Sequence, residues 1–186
     1  LFTHAMFKAL LFLGAGAIIH AVHSNEMSHM GGLRKYLPVT HVTFLVACLA
    51  ISGIPPFSGV FSKDEILNAT FMFSPVLGVV MSFIAALTAF YMFRLYYNIF
   101  WGRENRELHA AHRPHEAPLT MTLPLLFLSA VTCVAGFIPF GKLVSSDGTA
   151  YAIHIDRGVA GVSLCVAAAA IALATWMYLR ERQTVA

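Results

Sequence analysis

The fold is decided by one apolar stretch, residues 39–73, with the sequence VTHVTFLVACLAISGIPPFSGVFSKDEILNATFMF. This stretch is much longer than the roughly 20 residues that cross about 30 Å of hydrocarbon as a helix. Four residues that favour a helix interruption lie at its middle: Gly53, Pro55, Pro56 and Gly59. Two consecutive prolines remove two amide donors and clash with the preceding turn. The sequence therefore predicts a half-helix to about Ile54, an irregular stretch, and a second half-helix beginning near Ser62.

The rest of the chain is equally apolar. Of its 186 residues, 58% are hydrophobic and 11% are charged, whereas soluble domains carry about 25% charged residues. This composition excludes a water-soluble globule and predicts an all-α, polytopic transmembrane helix bundle, one transmembrane region over residues 1–186 without a soluble domain. The five predicted spans are Leu1–Val22, Val39–Phe73, Pro75–Trp101, Leu119–Phe140 and Gly158–Leu179.

The break in the second span is a functional indicator. Lipid cannot satisfy the backbone groups that an unwound segment frees, so such a segment is tolerated only where protein or a water-filled cavity surrounds it.

The loops predict the orientation of the spans. Basic residues on one side are Arg34, Lys35, Arg103, Arg106, Arg113, Arg180 and Arg182, against Lys142 and Arg157 on the other. Cytoplasmic loops carry the excess of lysine and arginine. We therefore expect the N-terminal end to face outward and the C-terminal end to face the cytoplasm.

A lysine lies near the middle of the first span. Lys8 would cost about 2.5–3.5 kcal/mol at the bilayer centre, so a role beyond stability is expected. His4 lies one helical turn earlier on the same face, and His20 lies about three turns later. These groups could form a stripe that exchanges protons. Alternatively, Lys8 pairs with an acidic residue of a neighbouring helix and holds the bundle together.

A second charged group, Lys63, Asp64 and Glu65, follows the break. With Ser62 as N-cap, the dipole of the second half-helix would favour the two carboxylates in its first turn. Lys63 gains nothing from that dipole, so it is the candidate for a labile proton, with Asp64 as its modulating partner. The alternative is a capping cluster whose lysine reaches the outer water.

Soluble-type chemistry is not indicated. His109, His112 and His115 lie in the run HAAHRPH, but no cysteine or clustered carboxylate completes a metal site, and Pro114 interrupts a helix there. No phosphate loop, nucleophile elbow or paired-cysteine motif is present. We expect no catalytic, metal or cofactor site and no nucleic-acid binding.

Several long motifs point to one family. The runs THAMFKALLFLGAGAIIHA, MGGLRKYLP, AISGIPPFSGVFSKDEIL and HEAPLTMTLPLLFLSA occur in this order between Leu1 and about Phe140. In these runs the chain resembles the antiporter-like subunits of proton-pumping NADH:quinone oxidoreductase, respiratory complex I, of the chain L or chain 5 type.

The resemblance implies a bundle built from two inverted repeats, each with one discontinuous helix. It makes this chain a C-terminal part of a longer subunit in a bacterial inner membrane. It also implies a proton relay in which Lys8 is central, His4 belongs to the same hydrated axis, and Lys63 links the relay to the outer side. Expected partners are other membrane subunits, especially a neighbouring antiporter-like subunit, with the lipid bilayer and protons. NADH, FMN, iron–sulfur clusters and quinone would belong to other subunits, with no redox cofactor in this chain.

Two alternatives remain open. The chain also resembles the large subunit of multi-subunit sodium/proton antiporters. It could instead be a purely structural membrane module whose charges only fix helix packing.

Overall fold

The computed structural model describes residues 2–104, 113–138 and 157–180, and these residues form helices, turns and loops without a strand. The α-helices are α1 (Phe2–Val22), α2 (Pro38–Ser52), α3 (Gly59–Phe73), α4 (Pro75–Tyr96), α5 (Leu119–Val134) and α6 (Arg157–Arg180). Short 3₁₀ turns lie at Met27–His29, Leu33–Lys35 and Ala135–Phe137, and a π-helical turn at Tyr97–Trp101 follows α4. The prediction of an all-α bundle is confirmed.

Four helical segments are long and apolar enough to cross a membrane: Phe2–Val22, Pro75–Trp101, Leu119–Phe137 and Gly158–Leu179. The chain is an integral, multi-pass membrane protein. The predicted span Leu119–Phe140 begins where expected, but its α-helix ends at Val134 and a 3₁₀ turn follows. Residues 139 and 140 lie outside the described part of the chain.

The second predicted span is broken, as expected. Helix α2 begins with Pro38 at its first position, where the missing N–H costs nothing. It ends at Gly53, whose φ of 75° is left-handed and whose N–H closes the helix on the carbonyls of Ala50 and Leu49. Turns and bends follow over residues 53–58, with a cis peptide bond between Pro55 and Pro56.

The predicted start of the second half-helix was wrong. Helix α3 begins at Gly59, three residues before Ser62, and Ser58 precedes it without a side-chain capping bond. No acidic residue lies in its first turn. Ser62 is therefore not the N-cap, and the α3 dipole does not act on Asp64 and Glu65 in the way that the sequence suggested.

The helices surround the break from two sides. α1 packs on α2 and α5, and α5 also packs on α2. α4 packs on α2, α3 and α6. A cluster of buried aromatic residues that includes Phe44, Phe93, Tyr96 and Phe100 fills the contact between α2 and α4. Gly53 and Gly59, at the two ends of the break, are buried in these contacts, whereas Pro55 and Pro56 between them are exposed.

Candidate functional site

The two half-helices cross in direct backbone contact at Gly59. A Cβ atom at this position would overlap the carbonyl oxygen of Ala50 on α2. A backbone oxygen cannot swing away as a flexible side chain can, so glycine is required for this crossing. The approach brings the first turns of α3 against the last turn of α2.

Lys63 joins the two half-helices. Its Nζ donates a hydrogen bond of 2.9 Å to the carbonyl oxygen of Ser52, the last residue of α2. The side chain runs over Gly53, where a Cβ would lie 2.8 Å from the Lys63 Cδ. The carbonyl end of a helix stabilises a cation. The expectation that Lys63 gains nothing from a helix dipole is therefore wrong, because the ammonium group lies at the C-terminal end of the first half-helix.

Asp64 turns toward a different helix. It is 7% exposed, and the hydroxyl of Ser163 on α6 acts on its carboxyl as a hydrogen-bond donor. Lys63 and Asp64 interact electrostatically but, among the described residues, form no ion pair within 4.0 Å. The two neighbouring charges thus connect α3 to α2 and to α6.

A pair of hydroxyl groups connects α1 to α3. Thr3 Oγ1 donates to Ser62 Oγ over 3.3 Å, and Ser62 Oγ donates to the carbonyl of Gly59, also over 3.3 Å. Thr3 precedes His4, and Ser62 precedes Lys63. This contact links the helix that carries Lys8 to the helix that carries Lys63.

Lys8 and His4 share one exposed face of α1. The common face agrees with the sequence analysis, but the burial expected for Lys8 is not provided by the described residues. The His4 ring packs edge-on against Phe7, with ring centroids 5.0 Å apart. His20 is also exposed and lies near His23, with centroids 6.0 Å apart. The structure therefore does not bring Lys8 and Lys63 into contact.

Three buried hydroxyl groups surround the break. Ser52, Ser58 and Thr132 are each fully buried, and their hydroxyls have no hydrogen-bond partner among the described residues. The Ser58 N–H donates to the carbonyl of Thr132 over 3.3 Å, which places α5 against the break. Buried hydroxyls are normally hydrogen-bonded to protein or water.

A histidine that the sequence analysis overlooked lies near the start of α2. His41 Nε2 and the Tyr96 hydroxyl are 2.7 Å apart, and the Trp101 Nε1–H donates to the same hydroxyl over 3.5 Å. With Trp101 as donor, the Tyr96 hydroxyl can donate to Nε2 of a neutral His41. An ionisable residue in the apolar run VTHVTF was the available signal.

The same end of α2 is capped from the loop before α5. Glu116 Oε2 accepts from the N–H of Val39 over 2.7 Å, and Oε1 accepts from the Thr40 hydroxyl over 2.6 Å. The neighbouring His115 is exposed, and its Nδ1 lies 3.0 Å from the Glu116 carbonyl oxygen. His109 and His112 lie outside the described residues.

Comparisons with known proteins identify the family. A sequence model described as NADH:quinone oxidoreductase/Mrp antiporter, transmembrane region, matches residues 1–88. This range includes α1 and both half-helices, with the break, Lys8 and Lys63. NAD(P)H-quinone oxidoreductase chain 5 of Picosynechococcus sp. is 40% identical over 223 residues, covering 98% of this chain and 33% of the relative. The chain belongs to this family of antiporter-like membrane subunits.

Two further family members are similar to about three quarters of this chain. NAD(P)H-quinone oxidoreductase subunit 5 from the chloroplast of Chaetosphaeridium globosum is 45% identical, covering 74% of this chain and 22% of the relative. NADH-quinone oxidoreductase subunit L of Neisseria meningitidis serogroup B is 41% identical, covering 78% of this chain and 25% of the relative. The chain thus spans a third or less of the length of these family members.

Proposed function

We propose that this chain is part of a proton-translocating membrane subunit of an NADH:quinone oxidoreductase. The observation that carries the proposal is the position of Lys63. Its side chain crosses a break in a membrane helix, and its ammonium group binds the carbonyl end of the opposite half-helix. A titratable cation in a membrane span is costly and marks a functional position by default. The names of the similar proteins support the same enzyme complex.

The proposed relay uses Lys8 and His4 on α1 and Lys63 on α3, with Asp64 as the modulating charge. The hydroxyl contact between Thr3 and Ser62 supports a relay that runs between α1 and α3, because it joins the helix that carries Lys8 to the helix that carries Lys63. The broken-helix residues, Gly53, Pro55, Pro56 and Gly59, give the site its unwound backbone. The buried hydroxyls around the break favour bound water there, which would extend a proton path.

The exposed face of α1 needs protein cover under this proposal. A lysine at mid-membrane depth faces a bundle interior or a water-filled cavity rather than lipid. We infer that another segment of the complete protein, or a neighbouring antiporter-like subunit, faces Lys8 and His4. Residues 1–186 would then form a single transmembrane region within a larger assembly.

The chain would act without a redox group of its own. Electron transfer from NADH through FMN and iron–sulfur clusters to quinone would occur in other subunits of the complex. The chain alone would catalyse no reaction, and its contribution would be the movement of protons across the bilayer.

The proposed location is a bacterial inner membrane, with the loops that carry Arg34 and Arg103 in the cytoplasm. A reporter fused after Gly102 should then read cytoplasmic, and one fused after Ser74 should read outside. The reverse pattern would invert the sides assigned to the relay.

The function is tested with Lys8→Met and Lys63→Met in the assembled complex. Both variants should lose most proton translocation while the complex still assembles, as measured by proton uptake or release per electron in sealed vesicles. Arg94→Gln, which removes an exposed cation that lies 5.9 Å over the Tyr178 ring, is the control and should translocate normally. Normal translocation by both lysine variants would favour the structural module.

One alternative has support from the family description, which includes the Mrp antiporters. A sodium/proton antiporter subunit would move protons in response to a sodium gradient and without quinone reduction. Translocation that follows NADH oxidation and is unchanged in sodium-free medium would exclude this alternative.

A further inference from the structure

Three basic side chains lie together at the end of the bundle where α2 begins and α4 ends. We call Arg34, Lys35 and Arg113 the basic rim. Each is exposed. Arg34 and Lys35 belong to the 3₁₀ turn before α2, and Arg113 lies close enough to Tyr36 for its charge to act on the phenol.

An aromatic ring holds the centre of the basic rim in place. The Arg34 Cζ lies 3.9 Å from the centroid of the Trp101 ring. This distance is that of a cation–π contact, which holds the guanidinium group over the face of the ring. A guanidinium group keeps N–H donors available in such a contact, and these donors suit a pair of phosphate oxygens.

The nearby carboxylates are engaged elsewhere. Glu104 accepts the Tyr36 hydroxyl over 2.5 Å, and Glu116 caps the amide end of α2. Within residues 2–104, 113–138 and 157–180, no carboxylate lies within 4.0 Å of a cationic nitrogen of the basic rim. The rim cations therefore form no ion pair with the described residues, and the nearby carboxylate of Glu104 binds the Tyr36 hydroxyl.

The position of Trp101 gives the depth of the basic rim. Trp101 is the last residue of the long apolar segment Pro75–Trp101, and tryptophan at such an end lies at the level of the lipid headgroups. The rim cations thus lie at the depth of the phosphate groups of the bilayer. An acidic partner in the aqueous phase would lie outside the headgroup layer and farther from these cations. Basic groups between membrane helices bind anionic headgroups in this way.

We propose that the basic rim and Trp101 bind the headgroup of an anionic phospholipid. Arg34 contacts the phosphate with its N–H edge, Lys35 and Arg113 add charge on either side, and Trp101 orients Arg34 at headgroup depth. The site is separate from the proposed relay, so it holds whether or not Lys8 and Lys63 move protons.

The test uses the complete protein in its complex, reconstituted in phosphatidylcholine nanodiscs with spin-labelled phosphatidylglycerol. The motionally restricted fraction of the labelled lipid gives its relative association constant. Arg34→Gln should lower this constant about fivefold at low salt. Trp101→Leu and Arg34→Lys should lower it as well, although neither changes the net charge. Arg94→Gln is the matched control for the loss of one cation and should leave the constant unchanged.

Three results would overturn the proposal. Equal losses in Arg34→Gln and Arg94→Gln would reduce the effect to general surface charge. Unchanged lipid selectivity together with release of a neighbouring subunit would make the rim a protein interface. Displacement of the labelled lipid by inorganic phosphate, at an ionic strength where chloride does not displace it, would assign the site to a soluble anion.

Discussion

Lys63 Nζ donates a 2.9 Å hydrogen bond to the carbonyl oxygen of Ser52, so the second half-helix holds the end of the first. The bond satisfies one of the carbonyls that a helix C-terminus leaves without an internal partner. It also places a cation at the negative end of the α2 dipole. The residue proposed to carry a proton is therefore also a structural link across the break.

These two roles of Lys63 can be separated by substitution. Lys63→Met should lower the free energy of unfolding by about 1.5–3 kcal/mol, the range for a hydrogen bond to a charged group. Lys63→Arg should keep most of that stability, because the charge remains, yet it should translocate poorly since a guanidinium group does not release its proton. Thermal unfolding in detergent and vesicle proton translocation measure the two effects. Full translocation by Lys63→Arg would leave only the structural role.

The crossing at Gly59 predicts a strong effect from the smallest change. Gly59→Ala places a methyl group where the Ala50 carbonyl oxygen lies, so the half-helices must move apart. This separation should lower the free energy of unfolding by about 1–3 kcal/mol, as measured by thermal unfolding. Gly16→Ala is the matched control, since a Cβ at Gly16 meets nothing within 4 Å. In a helix interior that control should be neutral or stabilising by about 0.5–1 kcal/mol. Equal stabilities of the two variants would contradict the observed crossing.

The break itself could be predicted from sequence because proline acts locally. Pro55 and Pro56 exclude a continuous helix whatever surrounds them. The position of Gly59 as the first residue of α3 could not be predicted in this way, because it depends on a contact with Ala50 that forms only when the half-helices cross. Sequence reasoning chose Ser62 because a serine before two carboxylates is a common local N-cap pattern.

The residues of the candidate site also divide into those whose placement follows from local sequence and those whose placement depends on contacts between helices. His4 and Lys8 share a face because their spacing is one helical turn, which sequence gives directly. The partners of Lys63 and Asp64 lie on α2 and α6, and no local pattern specifies them. His41 was overlooked because its importance comes from Tyr96, which lies on α4 and 55 positions away.

The hydroxyl pair between α1 and α3 gives a prediction about the relay. Thr3→Val and Ser62→Ala each remove one hydroxyl from the 3.3 Å contact at little change in volume. If this contact positions Lys8 relative to Lys63, both variants should slow translocation, and the double variant should be little worse than either single one. Thr3→Ser keeps the hydroxyl and should restore the rate. Equal rates for Thr3→Val, Thr3→Ser and the parent would remove the contact from the relay.

The hydrogen bonds from the start of α2 to Glu116 predict that different substitutions of Glu116 destabilise the protein to different degrees. The Glu116→Ala variant loses both acceptors, for Val39 N–H and for the Thr40 hydroxyl, and should lose about 0.5–2 kcal/mol of stability. Glu116→Gln keeps one carbonyl oxygen and should lose less. Thermal unfolding in detergent ranks the stabilities of the parent and the two variants. An Ala variant as stable as the parent would indicate that water replaces the carboxylate without loss.

Tyr36 predicts a pH dependence of stability outside the membrane-spanning helices. Its hydroxyl donates a hydrogen bond to Glu104 Oε1. This bond is the main cause that raises the pKa of Tyr36 above its usual value of 10.0. Burial and the Glu104 charge raise the pKa further, whereas the Arg113 charge opposes the rise. A raised folded-state pKa means that the contribution is complete below pH 10 and is lost as the pH rises through the folded-state value. The parent should therefore be more stable than Tyr36→Phe at pH 8, and this difference in Tm should shrink above pH 10. Tyr91→Phe, a change at an exposed tyrosine of α4, is the control and should show no such convergence. A difference for Tyr36→Phe that stays constant from pH 8 to above pH 10 would mean that the phenol does not donate to Glu104 in solution.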